Sequence, residues 1–121
     1  MTIEKLPHEF SICKVSDISA VNLNDEFCFI GKTDEEISAV CLSDSLPDGR
    51  THTDSGWKGL RIQGELDFSL IGILADITAV LAKAEVGIFA VSTYNTDYIF
   101  VKESSFDKAV AALSDSGYTV S

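Results

Sequence analysis

The sequence has no cluster of basic residues and no long hydrophobic segment. Nineteen of its 121 residues are Asp or Glu and only nine are Lys or Arg, which gives a formal net charge of −10. Because neutralising a phosphate backbone requires clustered basic side chains, we expect no nucleic acid and no membrane surface as partner. No apolar run reaches the roughly 18 residues of a membrane-spanning helix, and the N-terminus MTIEKLPHEF lacks the order of a signal peptide. These absences predict a soluble, cytoplasmic protein.

Cysteine and histidine are scarce, which limits the chemistry that the chain can perform. The cysteines Cys13, Cys28 and Cys41 share no CxxC or metal-ligand spacing, and each lies in an apolar, strand-like run. An odd number of such thiols argues against a secreted disulfide framework and favours buried free side chains. His8 and His52 lie far apart in the sequence. We therefore expect no enzyme activity, no metal site and no cofactor.

The half of the chain after residue 56 has the clearer periodicity. The first predicted elements are a strand at 57–63 and a helix at 70–84, with Ser69 as the N-cap of the helix. Two strands follow, at 86–93 and 97–102, and Tyr94-Asn95-Thr96 joins them. A second helix begins at a capping box of Ser104 and Asp107 and stops at Gly117, and a last strand is predicted at 118–120. The order β-α-β-β-α-β is that of the ferredoxin-like fold. The sequence therefore predicts the α+β class.

The half before residue 57 is less regular. Strands are predicted at 10–15, 27–31 and 37–42, with a turn or two of helix at 17–23 and a polar loop and linker at 43–56. This is the same strand-turn-strand arrangement with poor helices. We predict two domains packed side by side: an abbreviated unit with its linker at 1–56, and a complete unit at 57–121.

The predicted strand at 86–93 is apolar on both of its faces. Ile88 and Ala90 share one face, while Phe89 and Val91 share the other. Helices cover only one face of a ferredoxin-like sheet, so the other face needs a second cover. That cover is the N-terminal half, a second molecule or both, and we expect a homodimer or higher homo-oligomer.

The run SLIGILADITAVLAKAEVGIFAVST resembles the ACT domain, a regulatory module that binds small ligands in amino acid metabolism. Four residues match positions of its glycine turn and helix: Gly72, Leu74, Ile77 and Leu81. Ser69 and Ile71 replace the family's frequent Asp and Pro. With TDEEISAVC, the Gly-Trp pair at 56–57 and STYNTDYIFV, the chain resembles short stand-alone pairs of ACT units, similar to half of the CASTOR-type cytosolic arginine sensors. The resemblance implies two ACT-like units, no catalysis, and an amino acid held between units.

The resemblance also implies which residues contact the ligand. They lie at the turn that starts the first C-terminal helix and at the loop between the hairpin strands: the backbone around Ile71, Gly72 and Ile73, together with Thr93, Tyr94 and Asp97. In the sensor-like relatives, the Asp that ends this loop motif faces the cationic groups of the ligand, and Asp97 matches it.

The chemistry of these residues suits a free amino acid. The amides of a helix N-terminus can bind a carboxylate, and Gly72 leaves room for its approach. Asp97 can accept hydrogen bonds from the ammonium group, helped by oxygens of Thr93, Asn95 and Thr96. The alternatives are that Asp97 only caps its own hairpin, that Gly72 only allows close packing, and that Tyr94 packs on the hairpin instead of covering a ligand.

Two other functions compete with ligand binding. One is a protein-interaction or oligomerisation module without a ligand, which would use the doubly apolar sheet. The other is an enzyme such as an acylphosphatase, whose chemistry needs an Arg in a phosphate-binding loop. The loop at 64–71 contains no Arg, and Arg61 lies inside a predicted strand. Glu65 and Asp67 in that loop are expected to be solvated charges, with Asp67 near the mouth of the site.

Overall fold

A computed structural model of the chain describes residues 1–63 and 72–121. The strands are β1 Thr2–Val15, β2 Cys28–Lys32, β3 Ile37–Leu42, β4 Arg50–Ile62, β5 Ile88–Ser92, β6 Asp97–Lys102 and β7 Thr119–Val120; the helices are α1 Ile73–Lys83 and α2 Phe106–Asp115; and 3-10 turns lie at Ile18–Ala20, Ser43–Ser45 and Glu103–Ser105. The predicted α+β class is confirmed.

The chain divides into two compact units. One contains Met1–Pro7 and Lys58–Ser121, and we call it the helical unit because both α-helices belong to it. The other contains His8–Trp57, and we call it the strand unit. The strands β1 and β4 each contribute residues to both units.

The helical unit has the ferredoxin-like order β4-α1-β5-β6-α2-β7 along the chain. Its strands are arranged in the order β7-β1-β4-β6-β5, with β7 parallel to β1 and β5 antiparallel to β6. Side chains from the helices and from alternate strand positions form one apolar core, in which Ile77 and Leu81 of α1 pack with Leu113 of α2 and Ile99 of β6. All four are inaccessible to solvent.

The strand unit repeats this order with its helices reduced to single turns. Its strands are arranged in the order β2-β3-β1-β4, and the 3-10 turns at Ile18–Ala20 and Ser43–Ser45 follow β1 and β3, as α1 and α2 follow β4 and β6. Val21 and Leu46, next to these turns, pack against a small core that contains Cys13, Ala39 and Cys41.

The hairpins β2–β3 and β5–β6 have the same turn. The Thr33 amide donates to the Glu36 carbonyl at 2.9 Å, and the Thr93 amide donates to the Thr96 carbonyl at 2.9 Å. Each second strand continues directly into a 3-10 turn. The turns TDEE at 33–36 and TYNT at 93–96 therefore share the same backbone hydrogen bond.

Three sequence-based boundaries were wrong. β1 begins at Thr2 instead of residue 10, and β4 begins at Arg50, inside the stretch predicted to be a loop and linker. Residues 50–55 are polar and exposed on both parities, so no apolar alternation marks them as a strand. The second helix begins at Phe106, after the 3-10 turn, and its N-cap is Ser105, which makes no side-chain capping bond. The predicted cap at Ser69 lies outside the described residues.

Candidate functional site

The turn between β5 and β6 is closed by one threonine. The Thr93 hydroxyl donates to the Thr96 carbonyl at 3.0 Å and accepts from the Thr96 amide at 3.4 Å, in addition to the backbone bond between the same residues. A hydroxyl that replaces a backbone partner in this way is a common means of fixing a tight turn. The Thr93 side chain therefore holds the shape of the loop.

The same turn is fixed to the end of β4. Thr96 has only 6% of its surface exposed, and its hydroxyl donates to the carbonyl of Ile62 at 2.8 Å. Ile62 is the last residue of β4, and the chain leaves β4 there on its way to α1. This hydrogen bond holds the hairpin turn beside that departure point.

Asp97 lies where the turn passes into β6 and is half-buried. One of its carboxylate oxygens accepts a hydrogen bond from the hydroxyl of Ser92, its register partner on β5. Tyr94 and Asn95 form the exposed tip of the turn, with 79% of the Tyr94 surface accessible. The turn therefore presents an oriented carboxylate beside an exposed amide side chain.

Gly72 is the N-cap of α1 and has a left-handed backbone, with φ of 86° and ψ of 0°. Its carbonyl accepts from the amide of Asp76 at 2.8 Å, which is the first hydrogen bond of the helix. A left-handed N-cap favours glycine, because any side chain would strain this backbone. Ile73 follows and is half-buried against the core of the helical unit. Ile71 lies outside the described residues.

The structure brings part of the predicted site together. Thr93, Asn95, Thr96 and Asp97 share the hairpin turn, whereas Gly72 and Ile73 start a separate element of the same unit. Both threonine hydroxyls are engaged within the protein, which leaves Asp97 and the loop tip as the polar groups that face outward. Their contact with a ligand stays a prediction.

Ser92 is a functional candidate that the sequence interpretation missed. Its hydroxyl orients the Asp97 carboxylate, and the two residues flank the four-residue turn on directly opposed strand positions. The signal was present, since hairpin pairing across a four-residue turn places these two positions face to face.

Arg61 is held by a charged partner on the neighbouring strand. Its guanidinium donates to Glu4 at 2.7 Å and lies 5.9 Å from the ring centre of Tyr98. A hydrogen bond with Tyr98, and then the bond with Glu4, raise the pKa of Arg61 above its usual value. This permanent cation is already paired within the sheet of the helical unit.

The cysteines have the properties of core residues. Cys28 faces Cys41 across β2 and β3, and all three cysteines are free thiols. Burial raises the pKa of Cys28 and raises that of Cys41 to about 12, so neither thiol is activated as a nucleophile. Within the described ranges, no group of three or more His, Cys, Asp or Glu side chains is arranged to hold a metal ion.

The Thr96 hydroxyl is predicted to stabilise the fold. Thr96→Val keeps the shape of the side chain but leaves the buried Ile62 carbonyl without this donor, and we expect a loss of about 1–3 kcal/mol in the free energy of unfolding. Thr96→Ser restores the hydroxyl and should recover most of that loss. Urea denaturation of the three proteins measures the effect, and equal stability of Thr96→Val and wild type would contradict this role.

Comparison with known families identifies the C-terminal part of the chain. The ACT domain family matches residues 52–115, which is more than half of the sequence. Comparison with curated proteins gives no sequence match. Within the described part of the chain, no helix is long and apolar enough to cross a membrane.

Several solved structures have a similar fold. A protein from Agrobacterium tumefaciens is 28% identical, with a TM-score of 0.86 over 99% of this chain and 91% of its own. A protein of unknown function from Vibrio cholerae is 17% identical, with a TM-score of 0.73 over 92% of this chain and 85% of its own. An aspartate kinase from Clostridium acetobutylicum, described as an allosteric enzyme, is 16% identical, with a TM-score of 0.66 over 93% of this chain and 33% of its own.

Proposed function

The chain belongs to the ACT domain family, and on that premise we propose that it is a non-catalytic regulatory protein that binds a free amino acid. The ligand is held at an interface between ACT units, in an arrangement similar to half of a CASTOR-type sensor. The units assemble as a homodimer or higher homo-oligomer in the cytoplasm.

The hairpin turn is the observation that carries this proposal. Its backbone is fixed by Thr93, its position is fixed by the bond from Thr96 to Ile62, and its acid, Asp97, is oriented by Ser92. A carboxylate that is already oriented loses little conformational freedom when it accepts hydrogen bonds from an ammonium group. The loop tip at Tyr94 and Asn95 is exposed and can close over a ligand.

The start of α1 supplies the complementary group. A helix N-terminus presents backbone amides and a partial positive charge to a carboxylate. Gly72 has no side chain to block the approach, and a β-carbon added there would meet no atom of residues 1–63 or 74–121 within 4 Å. In this proposal the α-carboxylate contacts the backbone of Ile71, Gly72 and Ile73 while the cationic groups contact Asp97.

The likeness to an aspartate kinase supports a regulatory role. That protein is an allosteric enzyme of amino acid production, and the present chain corresponds to about one third of its length. We propose that this chain likewise reports the concentration of an amino acid, and that it does so by changing its association with another protein.

A screen by thermal shift tests the proposal. The purified chain, freed of bound metabolites by unfolding and refolding, is heated with each of the twenty amino acids in turn. A ligand at about one hundred times its Kd stabilises a protein by roughly 2.7 kcal/mol, so at least one amino acid should raise the melting temperature clearly. An unchanged melting temperature with all twenty would contradict the proposal.

A matched pair of variants locates the site. Asp97→Asn removes the charge of this side chain. We expect it to raise the Kd of the amino acid found in the screen by about tenfold or more, which corresponds to the loss of one charge-assisted hydrogen bond. Asp107→Asn is the control, because Asp107 is an exposed acid on α2 of the same unit. Isothermal titration of both variants measures the difference, and equal weakening would show a general charge effect instead of a site.

An interaction module without a ligand remains the second candidate. It is favoured by the position of β5 at the end of the strand order, where Phe89 and Val91 are half-buried. Such a module would give no thermal shift with any amino acid, and Asp97→Asn would leave its self-association in analytical ultracentrifugation unchanged.

A further inference from the structure

The three cysteines of the chain face the small core of the strand unit. Cys13 and Cys41 are buried in that core, and Cys28 is half-buried against it. Cys28 is the first residue of β2, and β2 is the last strand at its end of the strand order. The thiol of Cys28 is therefore the most accessible of the three.

Cys28 and Cys41 lie directly opposite each other on β2 and β3. The type of this pair follows from the turn, where the Thr33 amide donates to the Glu36 carbonyl and so makes these two residues a hydrogen-bonded pair. Hydrogen-bonded and non-hydrogen-bonded pairs alternate along an antiparallel ladder. The cysteines lie an odd number of positions from the turn pair on the same unbroken register. They are therefore a non-hydrogen-bonded pair.

Opposed side chains approach each other most closely in pairs of this type. Their α-carbons lie about 4.5 Å apart, and a disulfide spans α-carbons that are roughly 4.4–6.8 Å apart. Ser92 and Asp97 form such a pair on the equivalent hairpin, and there the Ser92 hydroxyl bonds directly to the Asp97 carboxylate. Strand pairing therefore brings the sulfurs of Cys28 and Cys41 within bonding reach while the backbone stays in place.

Cys13 is the other cysteine beside Cys41, but it is not in line with it. Cys13 lies opposite Ala39 in the pairing of β1 with β3, and Cys41 is the next residue on the same face of β3. Cys13 and Cys41 are therefore diagonal neighbours, whose α-carbons are about 7–8 Å apart. Two cysteines more than roughly 7 Å apart cannot be joined unless the backbone moves. The geometry selects Cys28 as the partner of Cys41.

We propose that Cys28 and Cys41 are a site of reversible oxidation, where exchange with a small disulfide such as glutathione disulfide forms a bond across β2 and β3. The Cys28 thiolate attacks glutathione disulfide, and one glutathione leaves while the other stays bonded to Cys28. The Cys41 sulfur then gives its proton to water, attacks the Cys28 sulfur and releases the second glutathione. The two cysteines lose two electrons and two protons, and the two glutathione molecules gain them. This site does not depend on the function proposed above.

Burial makes the exchange slow. It raises the pKa of both thiols, so little thiolate is present near neutral pH. The second step needs no encounter in solution, because the two sulfurs are already adjacent, and this proximity offsets part of the loss. We therefore expect the bond to form over minutes to hours, as uncatalysed disulfide rearrangements do.

Peptide mapping tests the site directly, because trypsin separates the three cysteines. Cleavage after lysine and arginine places Cys13, Cys28 and Cys41 in the peptides 6–14, 15–32 and 33–50, respectively. The native full chain is incubated overnight with about a tenfold excess of glutathione disulfide over glutathione. Its free thiols are then blocked with N-ethylmaleimide, and it is digested without reduction.

The main product should be peptides 15–32 and 33–50 joined to each other, lighter than their sum by two hydrogen atoms and separated by dithiothreitol. In concentrated urea, Cys28 is separated from Cys13 and from Cys41 by similar lengths of flexible chain, so both links should form in comparable amounts. Glutathione attached to Cys28 without any link in the native protein would overturn the proposal. So would a main link between peptides 6–14 and 33–50.

Alanine variants distinguish the two cysteines beside Cys41. Cys13→Ala should leave the link between peptides 15–32 and 33–50 unchanged, whereas Cys28→Ala should abolish it and leave Cys41 reduced. Circular dichroism of each reduced variant checks that it is folded. If folded Cys28→Ala linked Cys13 to Cys41 as completely as wild type forms its bond, the strand register would not determine the pairing.

The stability of the oxidised protein gives a second measurement. The bond closes the hairpin from Cys28 to Cys41, which restricts the unfolded chain. We expect the urea midpoint of the linked wild type to be higher than that of the reduced protein, and the same treatment to leave Cys28→Ala unchanged. An equal or lower midpoint in the linked protein would mean that the fold does not hold this pair in disulfide geometry, and the proposal would fail.

Discussion

Replacement of Leu81 by alanine is expected to lower the free energy of unfolding by about 2–5 kcal/mol. Leu81 lies on α1, has none of its surface exposed, and packs in the core of the helical unit with Ile77, Ile99 and Leu113. Alanine is the best helix former, so this change leaves helix propensity intact and removes only packing. Domains of this size are stable by roughly 0.05–0.15 kcal/mol per residue, so the loss is a large part of the total.

Urea denaturation followed by circular dichroism measures this loss. Leu74→Ala on the same helix is the control. Leu74 is only half-buried, so its replacement by alanine removes less contact with the core. We expect the midpoint to fall for both variants and to fall further for Leu81→Ala. If the two variants were equally stable, α1 would not pack through the face that contains Ile77 and Leu81.

The helical unit was predictable because its burial follows simple periods. α1 buries one face, so Ile77 and Leu81 recur at helical spacing. On β6 the alternate residues Ile99 and Val101 pack in the core that contains the helices. The hairpin turn was found because four consecutive polar residues interrupt apolar strands. The same logic gave the hairpin of the strand unit, whose turn begins at Thr33.

The strand unit was harder to predict because its elements carry weak local signals. The first half of β4 is polar and exposed, so neither alternation nor β-propensity indicates a strand there. Gly56, farther along the same strand, has a φ of 84°. The long-range pairing with β1 determines its conformation instead. Turns of three residues replace the helices, and segments this short show no period.

The candidate site was predictable in residue type but not in partners. The resemblance to the ACT domain pointed to the loop from Thr93 to Asp97 and to Gly72. It gave no indication that the Thr96 hydroxyl bonds to Ile62, because that contact spans thirty-four residues and depends on how β4 and β6 pair. Roles that depend on such distant contacts follow only from the folded arrangement.

Alkylation of Cys41 in the native protein is expected to be at least tens of times slower than in the unfolded chain. Burial raises its pKa to about 12, and the neighbouring Cys13 thiol adds to the shift. At pH 8 this leaves about a thousandfold less thiolate than in an ordinary cysteine, whereas the greater nucleophilicity of a high-pKa thiolate recovers only part of that factor. Only 3% of the Cys41 surface is exposed, which restricts the reagent further.

Labelling with iodoacetamide, resolved by mass spectrometry, measures the rate at each cysteine. Cys28 is the internal reference, because its pKa is raised as well but its side chain is only half-buried. We expect Cys28 to react before Cys41 in native protein and at the same rate in concentrated urea. Rapid labelling of Cys41 at pH 8 without unfolding would contradict the buried, protonated state.

The same protonation equilibrium should make stability depend on pH in alkaline solution. The unfolded Cys41 thiol loses its proton near 9.0, whereas the folded thiol keeps it up to about 12. Between these values the unfolded state binds fewer protons, so the free energy of unfolding decreases with rising pH, by at most about 1.4 kcal/mol per pH unit from this group. Below pH 9 both states are protonated and the contribution is fully present.

A comparison with Cys41→Ala isolates this contribution from other groups. Tyrosine and lysine side chains also titrate in alkaline solution, and they are unchanged in the variant. Denaturation curves at several pH values between 9 and 11 should therefore show a steeper loss of stability in wild type than in Cys41→Ala. Parallel losses in the two proteins would mean that the folded thiol ionises as readily as the unfolded one, in spite of its burial between β2 and β1.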